Sequence, residues 1–136
     1  MIEVNYLAVF FAAVTAFFIG FLWYGPVFGK YWMKLMGMTP ESMKSMSMTP
    51  AKAMTFGFIG MLLFAYVLAQ FAFLYGAIGV GFSGALQLAF WIWLGFYVPT
   101  TAGAWLWEGK SFKLFLFNAV YYLVTLIVTA SLLVLI

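Results

Sequence analysis

The chain has 136 residues, 68% of them hydrophobic and 7% charged, with a net charge of +3 and a mean hydropathy of +1.13. A soluble domain carries about a quarter charged residues and about half apolar ones, so no soluble core could hide this much apolar surface, and the solvent that fits is lipid. Cysteine, histidine, aspartate and arginine are absent, which excludes disulfides, thiolate or imidazole metal sites and histidine-based triads.

The first apolar stretch, residues 5–24, has the length of a membrane-spanning helix. Glu3 is the only charge before it, and it ends in Trp23-Tyr24-Gly25-Pro26 rather than a small-residue cleavage site. It therefore reads as a retained helix and not as a signal peptide. Ala8, Ala12, Ala16 and Gly20 recur at steps of four and form one small-residue stripe for helix packing.

Residues 28–50 form a Met/Lys-rich loop. The stretch Phe28 to Met38 fits either a short amphipathic helix on the membrane surface or an extension of the first helix. Within the loop the unit M-K-x-M-x-M-T-P occurs twice, from Met33 and from Met43. Such methionines are a known soft ligand type for Cu(I). Against copper stand a lysine in each copy and the lack of any supporting histidine or cysteine. Two helix starts explain the repeat better. Thr39 and Thr49 are N-cap residues, and Pro40 and Pro50 suit the first helical position. No cofactor is expected.

The second span covers residues 51–75, with Gly57, Ala65 and Ala69 as packing positions. A glycine-rich turn, Gly76 to Gly81, leads into the third span, residues 82–107. The turn has no lysine and is not a phosphate loop. Trp91, Trp93 and Tyr97 lie too deep in the third span for an interfacial belt, and are expected to fill the core or line an aromatic pocket. Pro99 cannot donate to the carbonyl of Gly95, so that acceptor needs another partner, for which Asn118 or Tyr122 is available. The fourth span covers residues 112–136. Asn118, Tyr122, Thr125 and Thr129 share one face of it, and polar groups in lipid turn toward a bundle interior. Thr100 and Thr101 lie at a depth similar to Asn118. Gln70, Gln87 and Asn5 gather near the opposite boundary, as a wet vestibule or as interhelical hydrogen bonds. A continuous polar path through Gln87, Thr101 and Asn118 would favour transport.

All six lysines lie in the first and third connections. Short basic loops stay cytoplasmic, so both termini are expected outside. Trp23, Tyr24, Trp32, Trp105 and Trp107 mark the same boundary as an aromatic belt. Glu108 is the one acid beside a span, and pairs with Lys30, Lys34 or Lys110 as a staple, or else serves as a gate. Gly20-Phe-Leu-Trp-Tyr-Gly-Pro26 and Gly95-Phe-Tyr-Val-Pro99 hint at a parallel two-plus-two repeat.

The stretches IGFLWYGPVFGKYWMKLMGM and WLWEGKSFKLFLFNAVYYLV, in a four-span chain of this length, resemble a family of small bacterial membrane proteins. That family is catalogued as domain of unknown function 1761. Gly20, Trp23-Tyr24, Pro26, Phe28-Gly29, Trp32, Glu108-Gly109-Lys110 and Asn118 carry the resemblance. It implies a bacterial cytoplasmic-membrane protein and brings no activity with it. Two better-understood four-helix families do not fit. Small multidrug-resistance transporters need a glutamate in the first helix, where Thr15 is the only central polar side chain. Dual-topology fluoride channels balance their loop charges.

The expectation is an all-α integral membrane bundle of four transmembrane helices, with a short interfacial helix after the first. It is not expected to be an enzyme or to bind nucleic acid, because its lysines are split between two loops. Four helices rarely enclose a pathway alone, so a homo-oligomer acting as a channel or transporter for a small solute leads. The alternative is a scaffold that docks a membrane protein partner through the Met/Lys loop.

Overall fold

The computed structural model describes residues 4–136. Helices cover four spans, Tyr6–Val27, Pro50–Tyr75, Phe82–Trp107 and Phe112–Leu135, each with an apolar window long enough to cross a bilayer. No strand occurs among the described residues. The physical cause is the backbone. In lipid every N–H and C=O needs a partner within the chain, and a helix supplies them locally.

The first span starts as α1 (Tyr6–Leu22), where Asn5 Oδ1 accepts the Ala8 N–H at 3.1 Å. The sequence places its end at Tyr24, but the helix continues through a π turn, Trp23–Val27, that contains Pro26. Gly25 leaves helical geometry there, at φ −123° and ψ −109°, so the chain kinks. A separate helix follows, α2 (Gly29–Met36). Its Lys30 and Lys34 are exposed on one side while Trp32, Met33 and Met36 are half-buried, the amphipathic option of the two left open by the sequence. The doubled methionine unit does start two helices. In α3 (Pro40–Lys44) Thr39 and Ser42 form a reciprocal capping box, and in α4 (Pro50–Tyr75) Thr49 caps the Lys52 N–H at 3.3 Å.

Gly76, at φ 79°, ends α4 in the left-handed conformation that glycine adopts without penalty. A short helix, α5 (Ala77–Val80), turns the chain into the third span. That span is interrupted. It runs as α6 (Phe82–Ile92), a π turn (Trp93–Tyr97), α7 (Val98–Thr101) and α8 (Gly103–Trp107). The π turn lies immediately before Pro99, and the Val98 N–H reaches back to the Trp93 carbonyl. Thr101 Oγ1 donates to the Tyr97 carbonyl at 2.6 Å, and Thr100 Oγ1 donates to the Phe96 carbonyl. The helix therefore repairs itself around the proline with its own threonines, and neither Asn118 nor Tyr122 does so. The fourth span is one helix, α9 (Phe112–Leu135), capped by Ser111.

The two π turns place Trp first and Gly third, at Trp23/Gly25 and Trp93/Gly95. They lie seventy residues apart, 93 minus 23, which is a different register from the one the Gly-Phe pairs suggest.

α1 packs against α4 and α9, and α6 packs against α9, whereas α4 and α6 meet sparsely. The interior is paved with alanine. Ala8, Ala12, Ala13 and Ala16 of α1 face Ala65, Ala69 and Ala72 of α4, and Ala85 and Ala89 of α6 complete the layer. The largest fully buried side chains are Leu126 and Thr129. Lipid gives no hydrophobic drive for helix association, so close backbone approach over small residues supplies the attraction. The small-residue stripe read from α1 is thus the packing face. Gly57 is exposed beside a groove, and Gly95 and Pro99 are exposed at the break in the third span rather than at a helix contact.

Candidate functional site: a tyrosine centre inside the bundle

α9 carries the polar face. Thr125 and Thr129 are buried, and Thr129 Oγ1 donates to the Thr125 carbonyl at 2.6 Å. Thr125 Oγ1 is itself buried with no hydrogen-bond partner. One turn nearer the lysine-bearing end, Tyr121 is buried and Tyr122 half-buried. Tyr121 fits because Gly20 faces it. A Cβ at Gly20 would lie 2.9 Å from the Tyr121 hydroxyl.

The kink in the first span brings Tyr24 to the same place. Its hydroxyl donates to Asn118 Oδ1 at 2.6 Å, which ties the first span to the fourth. Gly29 permits the kink, since a Cβ there would meet the Tyr24 carbonyl oxygen at 2.9 Å. The Tyr24 ring contacts Tyr121 edge-on at 4.9 Å and Trp32 at 5.4 Å. Trp23 lies between Phe28 and Phe117, and its indole N–H has no hydrogen-bond partner. Asn118 is interior, as its helical face requires, but its partner is a tyrosine that the sequence assigns to the boundary belt.

The π turn in the third span supplies the last two groups. Trp93 Nε1 donates to the Ala119 carbonyl at 2.8 Å, and the Tyr97 ring lies 4.7 Å from Tyr122. Tyr97, Tyr121, Tyr122 and Thr125, with Met61 and Phe64 of α4, enclose a central space of about 40 Å³. That is room for a water-sized group. Two larger grooves flank it. One, of about 460 Å³, lies between the first span and α4 and is lined in part by Gly20, Tyr24, Gly57, Met61 and Tyr121. The other, of about 280 Å³, lies between α4 and the third span and is lined in part by Phe64, Leu68, Ile92, Tyr97 and Leu126.

Other residues expected at an interior site lie elsewhere. Trp91 is 57% exposed and points out of the bundle, two residues before the inward Trp93. Thr100 is exposed, and Thr101 is occupied by the Tyr97 carbonyl. Gln70 is half-buried, while Gln87 is exposed and accepts a long hydrogen bond, 3.4 Å, from the Tyr75 hydroxyl. None of the three cavities is lined by Gln87, Thr101 or Asn118. Glu108, Lys30 and Lys110 are all exposed, and no ion pair joins them among the described residues. Glu108 ends α8, and the left-handed Gly109 turns the chain so that the Lys110 N–H closes on the Ala104 carbonyl. Tyr121, Met61 and Phe64 were not legible as site residues. The available signal was Tyr121, three residues beyond Asn118 and four before Thr125 on the same helical face.

A family model described as "Protein of unknown function (DUF1761)" matches residues 7–134. The chain belongs to the DUF1761 family. The positions that carry the sequence resemblance converge in this DUF1761 protein. Gly20, Trp23, Tyr24, Phe28, Gly29 and Trp32 all build the kinked end that closes on Asn118, Phe117 and Tyr121. No curated protein and no solved structure matches the DUF1761 chain.

Proposed function

We propose that this protein carries a small, largely apolar solute with one or two hydrogen-bonding groups across the bacterial cytoplasmic membrane, as a homo-oligomeric channel or transporter. One observation carries the reading. The three cavities share walls in series. Met61 and Tyr121 border both the first groove and the centre, and Phe64, Tyr97 and Leu126 border both the centre and the second groove. A trail of spaces thus passes beneath α4, apolar at both ends and polar only in the middle. The unpartnered Thr125 hydroxyl gives the middle a group to offer, because an unsatisfied buried hydroxyl costs about 1–3 kcal/mol until something bonds it. Three tyrosine faces favour a neutral or cationic guest over an anion. On this reading the lysine-bearing loops face the cytoplasm and no bond is made or broken in the solute.

The test is uptake into proteoliposomes of a fluorescent lipophilic cation and of a neutral phenolic amphiphile. Expected is protein-dependent uptake of at least one, reduced about tenfold (1.4 kcal/mol) by Met61→Trp, which plugs the shared wall. No protein-dependent uptake of either, or full uptake by a Met61→Trp variant of unchanged helicity, overturns it. A scaffold role has support in Met43, Met46, Met48 and Met54, which are exposed and adaptable. Absence of flux with intact fold would move the assignment there.

A further inference from the structure

A fourth groove, of about 380 Å³, lies apart from the central trail. One wall is α9. Lys113, Leu116 and Val120 line it at steps of three and four, a single helical face. Phe117, on the same face, touches the rings of Trp23 at 5.5 Å, Tyr31 at 5.5 Å and Phe28 at 6.0 Å. Those three rings form the opposite wall, held by the π turn and α2.

The groove is amphipathic along its length. Lys113 stands in the first turn of α9, at the membrane boundary, and the exposed Tyr31 from α2 lines the same groove. Leu116 and Val120 then carry it inward over seven residues, about 10 Å at 1.5 Å per residue, with no further charge. Lys113 makes no ion pair among the described residues. A free anion would satisfy the lysine and leave the apolar length empty. A wholly apolar chain would leave the ammonium without a counter-charge. What fits both is one molecule with a phosphate at its head and a hydrocarbon tail.

We propose that this groove binds an anionic phospholipid of the surrounding bilayer. The phosphate sits on Lys113, with the Tyr31 hydroxyl as a second donor. One acyl chain lies along Leu116 and Val120 against the aromatic wall. The lipid bridges α2 and α9 beside the Tyr24–Asn118 bond and holds the kinked end of the first span closed. The site depends neither on transport nor on which side the lysines face.

The experiment is native mass spectrometry of the full-length protein, released from detergent with phosphatidylglycerol or phosphatidylcholine present. Phosphatidylglycerol should be retained in preference, and Lys113→Gln should weaken its retention about fivefold, the worth of one lysine at an anionic surface. Lys52→Gln, an exposed lysine at the same end that does not line the groove, should change nothing. Leu116→Trp, at a half-exposed position that tolerates bulk, should expel the lipid by filling the tail slot while helicity is kept. Equal losses in Lys113→Gln and Lys52→Gln would reduce the effect to general surface attraction and overturn the site. Displacement of the lipid by inorganic phosphate would assign a soluble anion instead. Retention by Leu116→Trp would remove the acyl slot and with it the proposal.

Discussion

Replacing Tyr24 by Phe removes one oxygen and tests how the first span is fixed to the fourth. The Tyr24 hydroxyl reaches Asn118 Oδ1 at 2.6 Å across 94 residues of sequence, in a half-buried setting. Hydrogen bonds between membrane helices average about 0.6 kcal/mol and reach about 1.7. This one belongs near the upper end. It is short, and its loss strands the Asn118 side chain inside an aromatic cage. Tyr24→Phe should therefore cost about 1.4 kcal/mol, a tenfold change in the unfolding constant. Asn118→Leu strands the phenol instead and should cost about 1–3 kcal/mol. The double variant should show a coupling of about 1 kcal/mol. The assay is unfolding in mixed micelles against SDS mole fraction, followed by circular dichroism. Tyr6→Phe, at an exposed position, is the control and should be neutral. If Tyr24→Phe stays within about 0.3 kcal/mol of the parent and the coupling vanishes, the bond does not fix the spans and the reasoning fails.

Further outcomes follow from close contacts. Gly20→Ala should gain nothing in the parent, because the new methyl meets the Tyr121 hydroxyl at 2.9 Å. In a Tyr121→Phe background the same change should stabilise by about 0.5–1 kcal/mol through helix propensity, a sign difference readable in the same SDS titration. Gly29→Ala should destabilise by about 1–3 kcal/mol, since its Cβ would meet the rigid Tyr24 carbonyl at 2.9 Å. Trp93→Phe should cost about 1 kcal/mol by freeing the Ala119 carbonyl. A reporter fused after Ile136 should be active only outside the cytoplasm, and cytoplasmic activity would reverse the orientation read from the lysines.

The four spans, the two Thr-Pro helix starts and the alanine stripe of α1 are all legible in the amino-acid sequence. Each rests on a local rule. Twenty apolar residues in lipid have no alternative to a helix, a threonine before proline caps its own helix, and small residues at steps of four share a face. The candidate site is legible in part. Asn118, Tyr122 and Thr125 announce an interior face because polarity is scarce enough in this chain to mark direction. The aromatic residues carry no such mark, since a ring is as content in lipid as in a core. Trp91 and Trp93 therefore cannot be told apart by type.

The sequence by itself settled what crosses the membrane and where helices begin. The tertiary structure settled which rings turn inward and what they touch. The reason lies in the two π turns. Each adds a residue to the helical count and rotates everything beyond it by about 100°, so a face projected along a regular helix goes out of phase there. Beyond the first turn, α2 packs its aromatics onto α9. At the second, Trp93 and Tyr97 turn to Ala119 and Tyr122 while Trp91 faces out. The pairing of Tyr24 with Asn118 is likewise a property of two kinked helices meeting, and neither helix encodes it alone.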